Sequence, residues 1–162
     1  MLHLQLEPKL SPLIWKSNKL EIIRYYFKNT ICDILMSDAV IINEKGNIKY
    51  NSFYELRHSG PGIFKNIYKN TYIGCCMAFR STLKPLILPI PENTPMHGMW
   101  VGLLGEIFGR IIFIEDKLIY YRIHKDNNTS LNKNNPRKFL IWRFNLIINL
   151  LKRYLSIRFG GK

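Results

Sequence analysis

Four places in this sequence hold the residue types that could do chemistry. Asp38, in Met36-Ser37-Asp38-Ala39, is a lone carboxylate at the end of an apolar run, a position that suits a cap or turn as well as a ligand. Gly74-Cys75-Cys76 sets two thiols beside a residue with no side chain. His97-Gly98-Met99-Trp100 follows a segment punctuated by Pro89, Pro91 and Pro95, and His97 carries the imidazole that general-base chemistry uses most often. Arg122 and His124 alternate at the end of a β-type run, which puts both on one face where they could meet an anion.

The thiols carry weaker signals. Neither Cys75 nor Cys76 has a histidine or a helix start beside it in the sequence, so a reactive thiolate is not expected. Three cysteines and four histidines show no paired ligand spacing, which argues against structural zinc. Gly74 and the thiols read equally as a tightly packed strand or as a place where backbone approaches a ligand.

These residues must be positioned by a mixed series of elements. Ser17 is a helix N-cap candidate, and Leu20, Ile23, Tyr26 and Phe27 recur at helical spacing up to about Asn29. Ile31 to Met36, Ala39 to Ile42 and Ile48 to Tyr50 read as strands, the last two flanking a turn at Glu44-Lys45-Gly46-Asn47 that needs a positive φ at Gly46. Arg57 to Gly62 is a loop, Ile73 to Phe79 a buried strand, and Ser81 the cap of a short helix toward Leu86. His97 to Phe108 is helical and ends at Gly109. Ile111 to Ile114 and Leu118 to Tyr121 are expected as two strands around a tight turn at Glu115-Asp116-Lys117. The fold class is therefore α/β, with a mixed sheet and flanking helices.

A chain of 162 residues with 47% apolar residues can bury one real core, which excludes a disordered chain. Three cysteines, two of them adjacent, favour a reduced, cytoplasmic setting over a disulfide framework. No run is long enough to span a bilayer. The net charge of +13 is uneven, because eight basic residues and no acidic one follow Asp126. Asp126 to Pro136 is a polar linker, and Lys138 to Phe159 has the period of a basic amphipathic helix. Asn145, Asn149, Lys152, Arg153 and Ser156 form its polar face, with Phe139, Leu140, Phe144, Ile147, Ile148, Leu151 and Leu155 around the other. That helix would either pack on the domain or lie at an anionic membrane surface, peripheral at the inner face of the cell membrane. No nucleic-acid-binding motif accompanies the charge.

From about Trp15 to Asn127 the order and spacing of these landmarks resemble the family 2 glycosyltransferases of GT-A type, rhamnosyltransferase-like members in particular. In that family an acidic metal motif leads into a tryptophan and then a lysine opening a helix, as Trp15 and Lys19 stand here. A Ser-Asp-Ala step ends a strand, as at Asp38, and a Gly-Cys step passes close to the acceptor, as at Gly74-Cys75. His-Asp-x-Trp or Glu-Asp-x-Trp then opens a helix after a proline-rich loop. The resemblance implies a nucleotide-sugar donor, a saccharide acceptor in surface-polysaccharide or lipopolysaccharide synthesis, inverting transfer, and a divalent metal, manganese or magnesium. It places Asp38, Gly74, Cys75, Trp100 and Arg122 near substrate and His124 near the metal.

Two departures accompany it. The position of the catalytic aspartate is Gly98, and the residues before Trp15 are Leu10-Ser11-Pro12-Leu13-Ile14, with no acid. The expected organisation is an incomplete GT-A domain over residues 1–130, without the nucleotide-binding half, followed by linker and helix over 131–162. On its own such a chain is not expected to catalyse transfer. A non-catalytic acceptor-binding or membrane-associated accessory module is the alternative, and an incomplete sheet would leave an edge open to self-association.

Overall fold

In a computed structural model the chain is α/β, with one mixed five-stranded sheet flanked by helices. Residue 11 and residues 13–94, 96–123 and 136–160 are described. His124 and the polar linker up to residue 135 lie outside them.

The sheet is built on β2 (Ile34–Ile42), whose nine residues are all buried. One side of β2 pairs in parallel with β5 (Ile111–Arg122) along its whole length. The other side is shared, with β4 (Met77–Phe79) antiparallel at its start and β3 (Ile48–Tyr50) antiparallel at its end. β1 (Leu13–Trp15) runs antiparallel to the last part of β5. The β2–β3 hairpin turns through Gly46 at φ 90°, as expected.

The two short strands expected before Ile42 are thus one. Ser37 and Asp38 interrupt the apolar run and the register shifts at them, yet the strand continues through both, whose side chains find buried partners. Glu115-Asp116-Lys117 does not reverse the chain either. Ile114 pairs with Ser37 and Lys117 with Asp38, so the segment is a bulge inside a strand that keeps its direction.

Helix α1 (Lys19–Asn29) starts after Asn18, and Ser17 is not its cap. Helices α2 (Phe53–Arg57) and α3 (Ile63–Tyr68) bracket the expected loop, in which Gly60 and Gly62 have positive φ. Of the strand expected from Ile73, only β4 forms; Gly74–Cys76 is a 3-10 turn closed by the Cys76 N–H on the Ile73 carbonyl. Ser81 opens a second 3-10 turn without a side-chain cap bond, and α4 (Lys84–Ile87) follows.

Helix α5 (His97–Phe108) has the expected bounds. It crosses the core with Met99, Trp100, Leu103 and Leu104 almost completely buried. Its glycines face the sheet side: a Cβ at Gly102 would stand 2.6 Å from the Tyr72 ring, and one at Gly105 would overlap the Ile34 side chain. Helix α6 (Pro136–Phe159) docks Leu146 and Leu150 into the same core.

Candidate functional site

Two of the expected segments, Gly74-Cys75-Cys76 and His97-Gly98, lie against each other through backbone rather than through reactive side chains. The first turn of α5 lies against the 3-10 turn of Gly74–Cys76, and a Cβ at Gly98 would stand 2.9 Å from the Gly74 nitrogen and 3.3 Å from its Cα. The two glycines allow this approach, since any side chain at 98 would enter the backbone of 74. His97, next to Gly98, is exposed.

The same 3-10 turn is also held by α1. Lys19 is buried, and its Nζ donates to the Cys75 carbonyl at 2.9 Å while lying 4.0 Å from the centroid of the Trp15 ring. Burial lowers the pKa of this ammonium, and the neighbouring Cys76 and Cys75 partly oppose the change. Trp15 itself is 57% exposed, so its ring remains open to solvent. Trp15, Lys19, Cys75, Gly74 and Gly98 thus form one continuous line from β1 to α5.

The two thiols differ. The neighbouring Cys76 thiol, together with the Lys19 charge, holds the Cys75 thiol below its ordinary value against the effect of burial, while Cys75 and burial push Cys76 up. The Lys19 charge, distant in sequence, adds to the lowering at Cys75, a neighbour that the local sequence does not show.

Three residues expected near substrate serve the framework. Asp38 is buried and accepts from the Ser52 hydroxyl at 2.6 Å, from the Ala39 N–H at 2.7 Å, and from the Phe53 and Tyr54 N–H groups at 3.0 Å. Its carboxylate fastens the start of α2 to β2, with Ser52 capping Glu55 in turn. Trp100 has no exposed surface, and its Nε1 donates to the Ile87 carbonyl at 2.9 Å, so it is part of the core. Arg122 is buried at the end of β5 and donates to the carbonyls of Ser11, Asn43 and Glu44, tying the β1 entry to the β2–β3 turn. His124 lies outside the described residues, and its metal role is untouched by them.

A second polar group was not singled out from the sequence. Glu106 accepts from the Tyr72 hydroxyl and from the Gly62 N–H, both at 2.6 Å, linking α5 to the loop before α3. Burial, then the bond to Glu106, raises the Tyr72 pKa; burial raises that of Tyr54, whose ring packs near Phe113 as Tyr72 does. A single acid in the otherwise apolar α5 was the available signal.

A divalent cation of the manganese or magnesium kind needs several oxygen ligands. Among the described residues no three His, Cys, Asp or Glu side chains come together, and the Asp38 oxygens already serve four donors. The described residues do not fit such an ion. An open depression of about 600 Å³ lies at the β5 bulge, lined by Tyr26 and Ile112 to Asp116, and none of the expected site residues lines it.

Comparison with models of known protein families gave no match, and neither the curated proteins nor the solved structures contain a match to this chain.

Proposed function

We propose that this chain is a GT-A-like glycosyltransferase module of the family 2, rhamnosyltransferase-like kind, which binds a saccharide acceptor of surface-polysaccharide or lipopolysaccharide synthesis without itself transferring sugar. The observation that carries the reading is the contact between Gly74 and Gly98. It brings the Gly-Cys step and the His-Gly-x-Trp step together at one place, as an acceptor site built from both would require. It also leaves the position of the family's base without a carboxylate, because inverting transfer uses a group within hydrogen-bond reach of the attacking hydroxyl and Gly98 has no side chain.

The binding surface on this reading is the exposed Trp15 ring, backed by Lys19, together with the backbone at Gly74 and Cys75. A flat aromatic face beside fixed backbone polar groups suits a sugar, whose ring presents C–H groups on one side and hydroxyls at its rim. The module would act at the cytoplasmic face of the membrane, where lipid-linked acceptors are presented.

Titration calorimetry with oligosaccharide fragments of bacterial surface polysaccharides tests this. Saturable binding that Trp15→Ala weakens is expected. No binding across a broad panel, or binding indifferent to Trp15→Ala, would overturn it.

A further inference from the structure

Helix α6 sits on the domain in an orientation opposite to that of an ordinary amphipathic helix. Part of its polar face is turned inward. Arg153 donates to the carbonyls of Leu88 and Pro89, both at 2.6 Å, and Asn149 donates to Asn93 at 2.8 Å. Arg143 reaches Met99 and the Tyr68 carbonyl, and burial lowers its pKa. Together with Leu146, Leu150 and the stacking of Tyr154 on Phe108, these bonds fix the rotation of the helix.

That rotation leaves the broad apolar face outward. Leu140, Phe144, Ile147, Leu151, Leu155 and Phe159 are 39–70% exposed along one side. At 100° per residue, Leu140, Phe144, Ile147, Leu151 and Leu155 fall within a single stripe, and Arg137 and Arg158 lie at its two ends on the same side. Lys152 flanks it. A stripe of this length is far larger than the scattered apolar residues of a normal surface.

We propose that this outward face of α6 lies in the interface of an anionic lipid membrane, with Phe144, Leu151 and Leu155 among the acyl chains and Arg137, Lys152 and Arg158 at the level of the phosphates. Two observations select this occupant. The helix contains no acidic residue, so a second copy would bring only positive charge to a face already ringed by it. An anionic lipid surface supplies both missing partners, apolar depth and negative charge. Among the described residues no helix is long and apolar enough to cross a membrane, so α6 lies on the surface rather than through it. The rotation seen here assigns Arg143 and Arg153 to the body, leaving only the end and flank cations for lipid.

The test is flotation of the full chain with vesicles of phosphatidylcholine alone or with one-third phosphatidylglycerol, alongside light scattering of the protein by itself. Binding to the anionic vesicles is expected, weakened by salt and at least about tenfold tighter than to neutral ones. Phe144→Ser with Leu151→Ser should lower it by at least about tenfold at unchanged helicity, because both side chains are exposed. Arg158→Gln should lower it about fivefold without touching the apolar stripe. Absence of binding, or binding that neither variant alters, would overturn the proposal. So would a stable dimer that the Phe144→Ser, Leu151→Ser variant dissolves, which would make a second copy the occupant.

Discussion

Gly98 at the start of α5 rests on Gly74 so closely that a Cβ on residue 98 would stand 2.9 Å from the Gly74 nitrogen. The atom it would meet is backbone, in a turn whose Cys75 carbonyl is held by Lys19, and so has little freedom to yield. The glycine at this place is therefore a packing residue.

Gly98→Ala is expected to destabilise the fold. Replacing glycine by alanine in a helix gains roughly 0.5–1 kcal/mol, whereas forcing an extra carbon into packed backbone costs about 1–3 kcal/mol, so the clash prevails. A urea denaturation midpoint at or above that of the wild type would show that the Gly74 turn moves away freely.

Asp38→Ala should cost about 3 kcal/mol or more, since it removes a charged acceptor and strands the buried N–H groups at the start of α2. Hydrogen exchange over Phe53–Arg57 should rise together with the loss of stability. An unchanged midpoint would return Asp38 to the role of a ligand.

Cys75 should alkylate faster than Cys32 or Cys76 in the folded protein, with its rate rising at a lower pH than that of an ordinary thiol. Lys19→Met should move that profile upward in pH and slow the reaction several-fold at neutral pH. Mass spectrometry after brief iodoacetamide treatment reads both, and equal labelling of the three thiols would contradict the assignment.

Tyr54 and Tyr72 make the fold sensitive to alkali. Burial raises both pKa values above those of the unfolded chain, so the folded state favours the protonated hydroxyls. Their contribution is complete below about pH 10, where unfolded tyrosine begins to ionise, and is lost as the pH rises beyond it, at up to about 1.4 kcal/mol per pH unit for each. Comparing urea midpoints of wild type and Tyr54→Phe at successive alkaline pH values isolates one of them. Parallel curves would contradict the assignment.

The sequence was most legible where punctuation was strong. Pro89, Pro91 and Pro95 before α5 and Gly109 after it delimit that helix, and Gly46 marks the hairpin turn. Where polar residues stood inside strands, local reading divided what the ladder joins. Ser37 and Asp38 in β2, and Asp116 in β5, are accommodated by partners at the start of α2, in the 3-10 turn and at Tyr26, all remote in sequence. The rotation of α6 was hidden for the same reason. Its apolar stripe is visible in the sequence, but the carbonyls of Leu88 and Pro89 that turn Arg153 inward are not. The line from Trp15 to Gly98 needed the sheet to exist before it could be seen, although its two ends stood out as motifs.

On the proposed reading these residues keep an acceptor-side arrangement without a means of transfer. It is tested most directly by following the release of nucleoside diphosphate from a panel of nucleotide-sugars, with manganese and saccharide acceptors, for the wild-type chain and for Gly98→Asp. No turnover is expected from either protein, because the carboxylate that Gly98→Asp adds must enter the Gly74 backbone and displace the turn. Sustained acceptor-dependent release by the wild type would contradict the account, and by Gly98→Asp would show the site to be open where the glycine contact closes it.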